Sequence, residues 1–442
     1  ADYLALYSDA AVAKTPQLAA FRHDAVLFTN CFAQSTWTKP SFATLFSGLY
    51  PETHTATSKV SHLPDDIQTV AEVLYEGGYH TKGFSNNPHI MNIFNFGQGF
   101  VDYTDLKPDV YYFGATLSAS KLSLYDALRR AKQNAVAEIP FWPKKLVVTE
   151  FYQPAEVVTG EALDWLDSGA VPEGVPFYLF LHYMDPHDPF MDADKPGVGY
   201  ARVRLGNPDP SLREPMQKAY NDEIEYLDTY LSELFDGLRR RGLYDDALIV
   251  FTADHGEEFY DHEGWWHGQT LYDELMHVPL IVKLPGNARR GQTNAYLARH
   301  VDIPVTFIHF AGLKRPEAMP GKALFGENNT DANADTLFVY AELDFENNIL
   351  QGVRTYDTKV IHANADNPRR FDPVEFYDLA ADPLEHHNLA GQQNPRKDDQ
   401  QKLEEVLEGM LRFTRENAAV PVLDSGMTSD IKQRLEALGY LD

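Results

Sequence analysis

Apolar runs of strand length, two of them ending abruptly in acidic and imidazole residues, constrain this chain more than any other feature. Residues 175–182 run into Met184-Asp185-Pro186-His187-Asp188-Pro189, and residues 247–252 run into Ala253-Asp254-His255-Gly256. Residues 25–33 lead to Thr36-Trp37-Thr38-Lys39-Pro40, and the run 278–283 closes at Pro285-Gly286. Strands rich in Val, Ile, Leu and Phe alternate here with helical stretches, the pattern of a sheet covered by helices. The class expected is α/β, with a doubly wound, mostly parallel sheet.

Pro40 fits a first helical turn, where its missing N–H costs nothing, so a helix should run from there through Phe46 and close at Gly48 and Pro51. A long amphipathic helix is expected over 216–241. In open α/β sheets, ligands bind beyond the carboxyl ends of the strands. Thr38, Asp185 with His187, and Asp254 with His255 should therefore share one edge. The texture turns to shorter strands after about residue 335, which divides the chain into a catalytic domain over 1–335 and a small C-terminal α+β subdomain with terminal helices over 336–442. The Asp/Asn-rich stretch 326–335 is the expected linker.

With 442 residues and 44% hydrophobic content, the chain can fill a sizeable core. Its formal charge of −27 argues against nucleic acid or an anionic membrane as partner, and an enzyme this acidic needs a cation wherever it handles an anion. No run of about 18 apolar residues is present, so no transmembrane segment is expected. The one cysteine, Cys31, sits in an apolar run and excludes an internal disulfide, which leaves the compartment open between cytoplasmic and periplasmic or secreted. Oligomeric state is not readable.

Asp254-His255-Gly256 is the sharpest local signal, because a carboxylate and an imidazole at a strand end can be aimed at one cation. Mixed oxygen and nitrogen donors suit zinc, manganese or iron better than calcium. Taken alone the dipeptide more often marks a turn and a helix cap. Glu257, Glu258, Asp261, His262 and His267 follow closely around Trp265-Trp266, whose indoles should wall a pocket. Thr38 reads as an N-cap hydroxyl or as a nucleophile activated by the helix terminus and a bound cation. The stiff Asp-Pro-His-Asp-Pro turn projects His187, while His182 still belongs to its strand.

The run from Thr38-Lys39-Pro40-Ser41-Phe42 to Gly48-Leu49-Tyr50-Pro51, then His182-Tyr183-Met184-Asp185-Pro186-His187, then Thr252-Ala253-Asp254-His255-Gly256-Glu257-Glu258, resembles the sulfatase family of the alkaline phosphatase superfamily. Trp266-His267-Gly268, Phe376-Tyr377-Asp378-Leu379 and the closing Leu438-Gly439-Tyr440-Leu441 extend the resemblance. It implies an alkaline phosphatase-like fold and a divalent metal, zinc or manganese before calcium, held by Asp254, His255 and Thr38. It also implies an aspartate on a first strand ahead of residue 1.

Family sulfatases carry a cysteine, matured to formylglycine, or a serine where Thr38 stands, and an arginine where Phe42 stands. Their substrate-binding lysine falls where this chain reads Ser85-Asn86-Asn87-Pro88. No formylglycine is therefore expected, and the threonine resembles that of the superfamily's phosphodiesterases, phosphonate hydrolases and phosphoethanolamine transferases.

The reading is a metal-dependent hydrolase that cleaves a phosphate or phosphonate ester of a small anionic substrate by in-line attack of Thr38. His187 would protonate the leaving oxygen or bind a substrate oxygen, and Lys39, Asn86, Asn87 and His267 would bind substrate. A second metal site at Asp185, His187 and His267 is the alternative within this reading. A sulfate-ester hydrolase without formylglycine and a catalytically inactive scaffold are the alternatives to it. Residues 111–151 are expected to shape the pocket.

Overall fold

The computed structural model describes residues 1–106, 152–191, 199–331, 334–391 and 394–423. The expected pocket wall at 111–151 and the closing Leu438-Gly439-Tyr440-Leu441 lie outside the described residues.

In chain order, the elements that build the site begin with α1 (Pro16–Asp24), β1 (Val26–Phe32), α2 (Thr38–Ser47) and α3 (Val70–Glu76). They continue with β2 (His80–Ser85), β3 (Asp102–Asp105), α4 (Ala155–Asp167), β4 (Phe177–Leu181), α5 (Arg213–Arg240), β5 (Ile249–Thr252), β6 (His277–Lys283), β7 (Thr293–Asn294) and α6 (Asp302–Phe310). The C-terminal unit comprises β8 (Val339–Phe345), β9 (Asn348–Arg354), β10 (Thr358–Ala363), β11 (Val374–Asp378) and α7 (Lys397–Glu416).

The α/β class is as expected, and the sheet is mixed. One piece, in the order β3-β2-β4, is wholly parallel. The other, β7-β1-β6-β5, has β6 running against both β1 and β5, so that β1 and β5 point the same way. Because β1 and β5 share a direction, Thr38 and Asp254 emerge at the same edge. Among the described residues β4 and β5 each pair on one side only. Their apolar side chains line one cavity of about 780 Å³, together with Leu231 and Leu234 of α5. Thr38, His187, Asp254 and His255 form a polar part of that cavity's lining.

Helix α5 begins at Arg213, three residues earlier than expected, and Pro215 sits in its first turn, where no backbone donor is lost. Its buried Ile224, Leu227, Leu231, Leu234 and Leu238 recur at helical spacing and form one stripe, which packs with α1 and α4 around Phe21 and Trp165. The meander β8-β9-β10-β11 is antiparallel throughout, and α7 buries Leu403 and Leu407 against its Val353, Val360 and Phe376. In the expected linker, Asp331 accepts a hydrogen bond from Asn294 Nδ2 (2.7 Å). Among the described residues no helix is long and apolar enough to cross a membrane.

Candidate active site

Helix α2 presents Thr38 to the site. The helix starts at Thr38 itself, after Trp37 in extended conformation (φ −147°, ψ 159°), and no side chain caps it. The N-cap role open to Thr38 in the sequence is thus not taken. Its hydroxyl, on a side chain 1% exposed, lies 3.5 Å from His255 Nε2. Gly48 closes the helix with φ 67°, a left-handed conformation that favours glycine, and its N–H donates to Thr44 O (2.8 Å).

Beyond β5 the chain turns so sharply that an added Cβ on Gly256 would meet Glu274 O at 1.9 Å, so only glycine lets the turn sit against that backbone. Ser41 Oγ donates to Asp254 O (2.6 Å) and anchors the turn to α2. His255 Nδ1 lies 2.8 Å from Gly256 O and donates to it, which leaves the lone pair on Nε2. That nitrogen stands 3.4 Å from Asp254 Oδ2 as well as 3.5 Å from Thr38 Oγ1.

These three donors suit a divalent metal. Ligands at zinc-like distances around one tetrahedral centre stand about 3.3–3.4 Å apart, close to both separations, and the Nδ1–H to carbonyl bond is the usual way an imidazole ligand is oriented. Among the described residues no group of three or more His, Cys, Asp and Glu side chains is arranged to hold a metal ion. The alternative second site at Asp185, His187 and His267 is accordingly not assembled. Asp185 Oδ1 instead accepts from Ala155 N (2.9 Å), and burial pushes its carboxyl up to about 6.

His187 and His267 do converge, with ring centroids 5.0 Å apart, and His267 lies 4.4 Å from His255. His187 Nδ1 donates to Asp188 O (2.7 Å), which sets the ring in the turn after β4. His267 Nδ1 lies 3.1 Å from Glu257 Oε2, and its buried Nε2 has no hydrogen-bond partner among the described residues. Burial, aided by the neighbouring His255 and His187, holds the His267 imidazole well below its ordinary pKa, and burial raises that of Glu257 well above the usual range.

Two residues expected at the substrate, Lys39 and Asn86, are held by other partners, and a third, Asn87, is bonded within its own turn. Lys39 Nζ donates to Lys59 O (2.7 Å) and Ser61 O (2.9 Å) and lies over the Phe94 ring, on the far side of α2. Asn86 is used up by Gln153, donating to its carbonyl (2.7 Å) and accepting from its N–H (2.9 Å). Asn87 lines the cavity, yet its Oδ1 caps the turn at His89 N (2.8 Å) and its Nδ2 contacts Met184 Sδ (3.3 Å). Phe42, at the family's arginine position, meets His182 edge-on at 4.8 Å. Trp265 and Trp266 belong to a core with Phe190, Met216 and Phe259 and do not line the cavity.

Most of the dense ligand-type residues after Asp254 bond among themselves. Glu258 Oε1 accepts from His262 N (3.2 Å) and Gly264 N (2.9 Å), Asp261 pairs with Arg213, and His262 Nδ1 lies 2.7 Å from Glu274 Oε1. Burial opposes the charged form of His262, but the hydrogen bond and charge of Glu274 outweigh it and raise its pKa from 6.5 to about 9. Stability from this pair is therefore full below about pH 6.5 and lost as pH rises through about 9. Urea midpoints should fall between pH 7 and 10 by about 1–2 kcal/mol, and Glu274→Gln should remove that slope. A wild-type midpoint flat over this range would contradict the assignment.

The sequence profile described as Sulfatase matches residues 1–313. The chain belongs to the sulfatase family. It is an enzyme, an ester hydrolase of the sulfatase and alkaline phosphatase superfamily, and members of this family generally use a divalent metal ion. A second profile, N-sulphoglucosamine sulphohydrolase, C-terminal, matches residues 261–412. The chain is 22% identical to the N-acetylglucosamine-6-O-sulfatase of Bacteroides thetaiotaomicron, over 91% of this chain and 83% of that protein. It is 24% identical to PehA of Trinickia caryophylli, a multifunctional alkaline phosphatase superfamily protein, over 86% of each.

Among solved structures, a protein in complex with its substrate D-glucosamine-2-N,6-O-disulfate superposes with TM-score 0.70, at 20% identity, covering 94% of this chain and 96% of the other. A phosphonate monoester hydrolase from Silicibacter pomeroyi gives 0.68 at 19% identity, covering 92% and 91%. Both likenesses establish the sulfatase-like fold with its C-terminal subdomain.

Sequence reasoning singled out neither Ser41 nor Arg202, whose Nη1 donates to His267 O (3.2 Å). Ser41 stood in plain view inside the Thr38 motif, whereas Arg202 lies in a stretch with no motif at all.

Proposed function

We propose that this sulfatase-family chain hydrolyses a sulfate ester by in-line attack of Thr38. The observation that carries it is the Thr38 hydroxyl beside His255 Nε2 in the lining of the cavity. The sequence favoured phosphoryl or phosphonyl transfer; the sulfatases among the relatives put sulfate first.

A divalent ion held by Asp254 and His255, with Thr38 as a further donor, would supply the positive charge that makes the threonine alkoxide accessible near neutral pH. Thr38 gives up its hydroxyl proton to solvent, and its oxygen bonds to sulfur as the bond from sulfur to the leaving alcohol breaks. His187, set by its Nδ1 bond to Asp188 O in the turn after β4, gives that oxygen its proton. Water then attacks the threonine sulfate ester, His187 takes the proton back, and sulfate leaves. His267, oriented by Glu257, offers Nε2 to a non-bridging oxygen of the ester.

The second reading is hydrolysis of a phosphonate or phosphate ester. Thr38 itself favours it, as do the phosphonate monoester hydrolase and PehA among the similar proteins. Paired aryl sulfate, phosphate diester and phenylphosphonate substrates, assayed with added zinc or manganese, separate the two. Sulfate turnover exceeding the others at least about tenfold supports the first reading. Phosphonate or diester turnover exceeding sulfate overturns it.

A further inference from the structure

Behind the turn that carries Asp254 and His255 stands a buried pair, Ser41 and His300, that neither the attack of Thr38 nor the proton transfers use. Ser41 lies one turn after Thr38 on α2, and residues three apart share a helix face. That face touches both residues of the turn. Thr38 Oγ1 lies 3.5 Å from His255 Nε2, and Ser41 Oγ donates to Asp254 O (2.6 Å). The serine hydroxyl has one hydrogen and spends it there. His300 Nδ1, 3.2 Å from the same oxygen, must supply the hydrogen of that contact, so His300 donates to Ser41 Oγ. Both side chains are fully buried, and burial pushes the His300 imidazole down to about 4, which keeps it neutral with its one N–H at Nδ1.

His300 is itself held from both sides. Ala298 and Arg299, just before it, pair with Cys31 and Phe32 at the end of β1. Just after it, Val301 N–H donates to Gln34 Oε1 (3.2 Å), and His300 O accepts from Ile303 N (3.1 Å) in the first turn of α6. Asp302 fastens this corner by accepting from Arg299 N, Nε and Nη2 at 3.0, 3.1 and 2.8 Å. The donor that orients the Ser41 hydroxyl thus sits on a fixed frame.

The carbonyl and the side chain of Asp254 leave the backbone from neighbouring atoms, so a bond that fixes the carbonyl also limits the direction in which the carboxylate points. Groups that orient a metal ligand in this way set metal affinity by about ten- to a hundredfold. We propose that His300 and Ser41 are positioning residues for the metal-binding turn: His300 Nδ1–H holds the Ser41 hydroxyl, and the hydroxyl holds Asp254 O. Asp254 and His255 are then aimed at the ion before it arrives. This rests on the reading that those two residues hold a divalent ion.

The test is zinc and manganese affinity, measured on the full chain by competition with a chromophoric chelator, beside thermal midpoints that report folding. Ser41→Ala and His300→Leu should each weaken binding at least about tenfold. Ser41→Thr keeps the hydroxyl and His300→Asn keeps a donor at the Nδ1 position, so both should stay within about threefold of wild type. Because His300 acts through Ser41, the double variant Ser41→Ala/His300→Leu should bind no more weakly than Ser41→Ala alone. Ser41→Ala binding as tightly as wild type, or single losses that multiply in the double variant, overturns the positioning pair and leaves the metal site standing. A wild type that takes up neither ion overturns the metal site and the pair with it. Should His300→Leu not fold, His300→Gln, whose amide reaches the Nε2 position instead, takes its place with the same expected loss.

Discussion

Replacing Thr38 with alanine is expected to lower kcat at least about 10³-fold on whichever ester the protein turns over best. The side chain is buried at the first residue of α2, its hydroxyl is 3.5 Å from His255 Nε2, and it makes no capping bond. The stability cost should accordingly stay within about 1 kcal/mol. No neighbour can take over the attack. Ser41 Oγ donates to Asp254 O, Thr36 Oγ1 donates to Thr270 O (2.8 Å), and Cys31 is fully buried in β1, where burial pushes its thiol pKa far up. Thr38→Ser should stay within about tenfold of wild type, since it preserves the hydroxyl. Single-turnover assays beside thermal midpoints check both. A folded alanine variant that kept a tenth of the activity would remove Thr38 from the chemistry.

What the sequence made legible follows from how local each signal is. The strands that lead to Asp254 and Asp185 announce themselves as apolar runs, because the apolar character of a strand is a property of consecutive residues. Placement of Thr38, His187 and His255 near one another followed from the rule that strand carboxyl ends share an edge, a rule that did not reach His267. Direction was harder. A parallel and an antiparallel strand buried on both faces look alike, so nothing in residues 277–283 discloses that β6 runs against its neighbours.

Side-chain orientation was hardest. Lys39 stands next to the nucleophile in sequence, but adjacent helical residues point about 100° apart, and its Nζ ends among the carbonyls of Lys59 and Ser61. Asn86 could not be told from a substrate ligand without knowing that Gln153 passes beside it. Likewise the density of acids and histidines at 257–267 suggested metal ligation. Most of it satisfies the loop's own backbone and leaves Glu257 with His267 at the site.

Lys359→Met should destabilise the protein by about 3–5 kcal/mol, the cost of stranding a buried charge. Lys359 Nζ, on a side chain 1% exposed, lies 2.7 Å from Glu385 Oε1 and 3.0 Å from Asp273 Oδ1, while Arg354 Nη2 holds the other oxygen of Asp273 at 3.1 Å. Asp273 belongs to the catalytic unit and the other three to the C-terminal one, so the cluster fastens the two. Burial raises Glu385 to about 7 even with Lys359 beside it. Without the ammonium its folded pKa rises further above the unfolded value. The variant's loss should then be smaller at pH 5, where Glu385 is protonated, and grow as pH rises through 7.

Adding Glu385→Gln should recover at least about half of the loss, since glutamine keeps an acceptor for the Asp273 N–H that Glu385 Oε2 now binds (2.7 Å) and carries no charge. The effect should reach the site. Leu275 O, two residues from Asp273, accepts the Gly256 N–H (2.8 Å), and Gly256 ends the turn that aims Asp254 and His255. Urea midpoints at pH 5 and 8 for the single and double variants decide it. A single variant equally stable at both, or a double variant no better than the single, would mean that the cluster is not what holds the C-terminal unit against the catalytic one.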